Sequence, residues 1–123
     1  MQDDRQSGRV LRAGALAGAR VRNPAGEDLG KIEELMIDIP TGRLAYAVIS
    51  FGGFLGIGDK LFAVPWQALA WNERSREFIM HVDRAELERA PGFNPNRWPD
   101  MADPSWSSQV EEFYARRGRD PAA

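Results

Sequence analysis

The sequence contains no cysteine, a single histidine and no long apolar run. The lack of cysteine excludes disulfide bonds, thiolate catalysis and cysteine-ligated zinc or iron–sulfur sites. With His81 as the only imidazole, a transition-metal site would need an all-carboxylate shell. The small-residue run 13–19 is far shorter than the ~20 apolar residues that span a bilayer, and the polar start shows no signal peptide. We expect a cytoplasmic protein without membrane insertion.

Charge of one sign is also scarce. The formal net charge is −2 over 123 residues, which gives no electrostatic drive towards DNA or RNA. The apolar fraction of 43% and the charged fraction of 28% are those of one ordinary globular domain. Nucleic acid is therefore not an expected partner.

Short alternating segments separated by turn residues predict a mainly β fold. In the segment 29–39, Leu35, Ile37 and Ile39 share one face, as in a half-buried strand, and Ile32 is out of phase, which predicts a bulge near Glu33. Further strands are predicted at 19–22, 44–51, 61–66 and 78–82. Five or six such strands describe a small barrel or sandwich, and a barrel would remove exposed edges.

Helix signals follow the strands. Asp83 is placed to cap a short helix over 84–90, and Asp103 with Pro104 begins a C-terminal amphipathic helix. In that helix Trp106, Val110 and Phe113 form one apolar stripe. The predicted divisions are a flexible arm (1–15), the barrel (16–90), a proline- and aromatic-rich tail with the last helix (91–117) and a disordered end (118–123).

The order of these elements resembles the PRC-barrel family, the β-barrel of the photosynthetic reaction-centre H subunit and of a ribosome-maturation factor. The resemblance is carried by GARV at 18–21, NPAGE at 23–27, LGKIEELMID at 29–38, YAVISFGG at 46–53 and FAVPW at 62–66. The segments APGF at 90–93 and WPDMADP at 98–104 resemble the tail of stand-alone bacterial members. The resemblance implies a five- to six-stranded barrel that binds other proteins or itself. The H subunit's membrane helix and the ribosome factor's second domain are both missing, so neither specific role carries over.

No residue set supports catalysis. Glu34 and Asp38 lie two steps apart on one strand face, which is typical of a solvated surface rather than an acid–base pair. The glycine-rich loop 52–60 has Asp59 before Lys60 and no Ser or Thr after the lysine, and a strand follows it, so it does not match a phosphate-binding loop. We expect a protein that is not an enzyme and has no cofactor, catalytic residue or metal site.

The predicted function is a non-catalytic protein-interaction or assembly module, with another protein or a second copy as the partner, in a homodimer or higher oligomer. Apolar residues at a loop tip and in the tail are the candidate contacts: Phe54, Leu55, Ile57, Trp98, Trp106, Val110 and Phe113. The alternative is a barrel that senses a small ligand or anion through the loop 52–60.

Overall fold

The computed structural model describes residues 10–51 and 60–117. Its strands are β1 (Arg20–Arg22), β2 (Asp28–Asp38), β3 (Arg43–Phe51), β4 (Lys60–Pro65), β5 (Ala70–Asn72) and β6 (Glu77–Ile79). Its helices are α1 (Ala13–Leu16), α2 (Arg84–Glu88) and α3 (Pro104–Arg117), with a 3₁₀ turn at Trp66–Ala68. The mainly β class with a short helix and a C-terminal helix is confirmed. The helical turn α1 ends at the buried Leu16, next to the predicted start of the barrel.

The six strands form one mixed sheet in the order β4-β3-β2-β1-β6-β5. All neighbours are antiparallel except β1 and β6, which run parallel with Val21 opposite Phe78. Within the described residues β4 and β5 do not pair, so the curled sheet is not closed by hydrogen bonds. The expectation that closure removes every edge is therefore wrong for this part of the chain. Part of the β4 edge is covered instead, because Leu61 and Phe93 exchange two backbone hydrogen bonds.

Strand β2 bends where the sequence predicted a bulge. Its register against β3 shifts between Ile32 and Glu34, and again between Met36 and Ile37. The first shift lets Ile32 and Leu29 both reach the core, where each is at most 2% exposed. The out-of-phase spacing of Ile32 is thus absorbed by one extra residue, as bulges do.

The core lies inside the curled sheet and continues onto the outer face of β3 and β4. Ile49 and Phe62 are paired across these strands and face inwards. Val48 and Ala63 are also paired, alternate to the opposite face and are still buried. A strand pair buried on both faces needs a second covering layer.

Helix α3 provides that layer. The ring of its Trp106 packs edge-on against the ring of Tyr46, a residue of β3, with the two ring centroids 5.3 Å apart. Val110 and Tyr114 are fully buried on the same side of the helix. At the helix start the Asp103 carboxylate accepts a hydrogen bond from the Ser105 backbone N–H at 3.0 Å, so the predicted cap is confirmed.

A polar cluster joins the β1–β2 turn to α2. The buried Asn23 amide donates to the Glu27 carboxylate at 2.7 Å and to the Val82 carbonyl at 3.1 Å. Glu27 also accepts a hydrogen bond from the Arg84 backbone N–H. The Arg84 N–H and then the Asn23 amide hold the pKa of Glu27 below its usual value. Asp83 and Glu86 complete the predicted cap as a capping box.

Candidate interaction surface

Large apolar side chains are exposed around the end of the β2–β3 hairpin. Val10 is 84% exposed, Ile37 54% and Ile39 81%. We call these three residues the hairpin patch. Large aliphatic side chains grouped in this way mark contact surfaces more often than isolated ones do.

The hairpin projects because β2 is much longer than β1. The pairing of β2 with β1 ends at Lys31, and Ile32 still exchanges backbone hydrogen bonds with Gly18 and Ala19. Beyond Ile32, β2 pairs with β3 alone out to Asp38. Leu35 is half buried, whereas Ile37 and Ile39 lie past the edge of the core. The predicted burial of all three on one face is wrong for Ile37 and Ile39. Period-two alternation gives the face of a side chain, but not whether a neighbouring strand covers it.

An apolar groove adjoins the hairpin patch. It has a volume of about 320 Å³, and the residues that line it carry apolar side chains apart from the tryptophan N–H groups: Val10, Leu11, Ala13, Leu16, Leu35, Leu44, Trp66, Trp71 and Phe78. Leu44 is the cross-strand partner of Ile37, so the groove begins at the hairpin. The Trp71 indole N–H donates a hydrogen bond to the Glu73 carboxylate at 2.9 Å, and the Trp71 residue also lines the groove. The groove suits an aliphatic or aromatic group rather than an anion.

Charged side chains of both signs lie near the patch. Glu33 and Glu34 line a shallow cavity together with Ile37, and Arg43 begins β3 opposite Asp38. All three are exposed, and none of them forms an ion pair with another residue in the part of the chain that the structure describes. Asp38 accepts a hydrogen bond from the Thr41 hydroxyl at 2.6 Å within the hairpin turn.

The interaction residues predicted from the tail are brought near one another only in part. Trp98 is 42% exposed, and its indole N–H donates a hydrogen bond to the Pro95 carbonyl. Its ring packs on the ring of Phe93, with the two centroids 5.1 Å apart. Trp106 and Phe113 are half-buried on α3. Val110 is fully buried in the chain's own core, so its side chain holds the helix to β4 and presents no surface. A partner contact by the other three stays a prediction.

The loop candidates Phe54, Leu55 and Ile57 lie outside the described residues. Of the loop assigned to the alternative ligand site, Lys60 is described, and its ammonium lies 5.3 Å from the Phe62 ring centroid. No anion-binding arrangement can be built on Lys60 alone.

Residue Tyr114 is one that sequence reasoning missed. Its hydroxyl is buried and makes no hydrogen bond, and desolvation raises its pKa. The position i+4 from Val110 could have indicated burial, but the aromatic stripe was traced through Phe113 instead. The ring centroids of Phe113 and Tyr114 lie 4.8 Å apart, and Tyr114 is the more deeply buried of the two residues.

The residues considered for catalysis lie on different elements of the structure. Glu34 and Asp38 are exposed residues of β2, whereas His81 lines an open cleft beside the β5–β6 hairpin. Among the described residues no three His, Asp or Glu side chains gather as a metal site would require. No helix in residues 10–51 or 60–117 is long and apolar enough to cross a membrane.

Comparison with known families agrees with this geometry. The sequence model of the family described as PRC-barrel domain matches residues 9–87, more than half of the chain. The chain belongs to the PRC-barrel family. The match ends inside α2, so the PRC barrel proper contains the hairpin patch, the groove and all six strands, while the tail and α3 follow it. No curated protein matches the chain significantly.

Proposed function

We propose that this PRC-barrel protein is a non-catalytic interaction module that assembles with another protein or with itself. PRC-barrel domains are in general interaction or assembly modules. The observation that carries the proposal is the hairpin patch, where apolar side chains stand exposed beside an apolar groove.

The energetics favour a covered patch. Complete burial of an aliphatic side chain the size of isoleucine contributes about 1.5–3 kcal/mol. Ile39 realises little of that contribution in the isolated chain, since it is 81% exposed. A partner that covers the patch would add most of that contribution at Ile39 and Val10 and about half of it at Ile37, which is 54% exposed. Side chains of this kind serve as anchors of an interface.

A photo-reactive amino acid at position 39 of the full chain, expressed in its native cell, tests the proposal. The same group at Gln109, an exposed position of α3, is the matched control. We expect a discrete covalent protein adduct from position 39 and none from position 109. Equal labelling at the two positions, or no protein adduct at position 39, would contradict the proposal.

A further inference from the structure

A projecting side chain and a groove that could receive one lie at the same end of the molecule. Ile39 follows Ile37 by two residues, about 7 Å along an extended chain. Ile37 pairs with Leu44, and Leu44 lines the groove. One surface therefore carries both halves of a contact.

The groove fits the side chain in size and chemistry. Its volume of about 320 Å³ exceeds what one branched aliphatic group needs, since a single water occupies about 30 Å³. Its walls include Leu35 and the ring of Trp71, which offer dispersion contacts to an isoleucine.

A surface that contains both a projection and its receptor can pair with itself. In a two-fold interface the same patch faces its copy, so each element must find its complement within that patch. The charges near the patch are of both signs as well, because Arg43 can face Glu33 and Glu34 of a copy. A nucleic acid or an anionic membrane would instead meet both signs and gain no net attraction.

We propose that two copies of this chain pair through the β2–β3 hairpins, each inserting Ile39 into the apolar groove of the other. This inference rests on the proposed function and names its partner as a second copy. The exposed side chains of Val10, Ile37 and Ile39 form such a patch, and the functional patches on monomers measure about 300–600 Å². The charged side chains near the patch extend it towards the ~800 Å² per partner of a standard interface.

Sedimentation velocity of the purified full chain over a range of concentrations tests the pairing, with Ile39→Asp as the variant and Gln109→Asp as the charge-matched control. We expect a dimer for the wild type and for the control. Because the substitution places a charge in both grooves of the dimer, Ile39→Asp should weaken dimerisation at least about 100-fold. Its melting temperature should match that of the control, as position 39 lies in an exposed turn.

The absence of native cysteine allows a geometric test in the same samples. Chains carrying Ile39→Cys are mixed with differently tagged chains carrying Val10→Cys and treated with a short bismaleimide. We expect covalent heterodimers, and none when Gln109→Cys replaces Val10→Cys.

Three results would overturn the pairing. The first is a wild-type chain that stays monomeric at 100 times the concentration at which the variant is measured. The others are a dimer that persists in the Ile39→Asp variant and a dimer that Trp98→Ala dissociates instead. A monomeric chain whose position 39 still labels a different protein in cells would refute this inference and leave the proposed function standing. No labelling at position 39 would refute both.

Discussion

Replacing Gly30 by alanine tests how tightly β2 is clamped between β1 and β3. Gly30 pairs with Val21 on one side, and its φ of +115° lies in a region that side chains rarely adopt. A Cβ at this position would overlap the Ser50 carbonyl oxygen and lie 2.9 Å from Ile49 Cγ2. The oxygen belongs to the backbone of a central strand, so it cannot move aside as a flexible side chain would.

The two effects add up to a large destabilisation. Backbone strain of this kind costs about 1–3 kcal/mol, and overpacking a close-packed site costs about 1–3 kcal/mol more. The sum, roughly 2–6 kcal/mol, is a large share of the ~5–15 kcal/mol that stabilises a domain. A loss of 1 kcal/mol lowers the melting temperature by about 4–8 °C for 60–100 residues and by about 2–4 °C for 150–250 residues. For a chain of 123 residues, which lies between these sizes, Gly30→Ala should lower the melting temperature by about 8 °C or more.

Two other glycines separate the causes. Gly42 has a positive φ of 75° but open space where a Cβ would lie, so Gly42→Ala should show strain alone, about 1–2 kcal/mol. Gly14 has neither feature and lies in α1, so Gly14→Ala should be neutral or slightly stabilising. Thermal and urea unfolding of the three variants give the comparison. If Gly30→Ala unfolds together with Gly42→Ala, the steric argument from Ser50 is refuted.

Two further predictions concern single polar groups. The pKa of Glu27 is held below its usual 4.5 in the folded state. The ionised carboxylate therefore stabilises the fold above pH 4.5, and this contribution is lost as the pH falls through the lowered pKa. Glu27→Gln should flatten the acid limb of a plot of stability against pH, and an unchanged limb would contradict the assignment. The Tyr114 hydroxyl is buried without a hydrogen bond, so Tyr114→Phe should keep or raise the melting temperature. A clear fall in that temperature would reveal a partner for the hydroxyl.

Local sequence signals predicted much of the fold correctly. The bulge near Glu33, the cap at Asp83 and the helix start at Asp103 all depend on residues close in sequence, and the structure has each of them. Five of the six strands were predicted to within three residues for the same reason. The short strand β5, at Ala70–Asn72, was not predicted. The family resemblance was confirmed over residues 9–87.

The interaction surface was less accessible to sequence reasoning. Leu35, Ile37 and Ile39 have the same spacing and similar hydrophobicity, yet the first is half buried and the last is almost bare. Their difference arises from the length of β1, which ends its pairing at Lys31. No property of the β2 sequence encodes that length.

The sequence by itself determined which segments are strands or helices, because backbone preference, capping and alternation act over a few residues. Only the tertiary structure decided which apolar residues are covered. It buried Val110 and Tyr114, paired β1 with the distant β6, and left Ile39 exposed at the end of the β2–β3 hairpin. Burial depends on elements far apart in sequence meeting in space, and that information is absent from any local pattern.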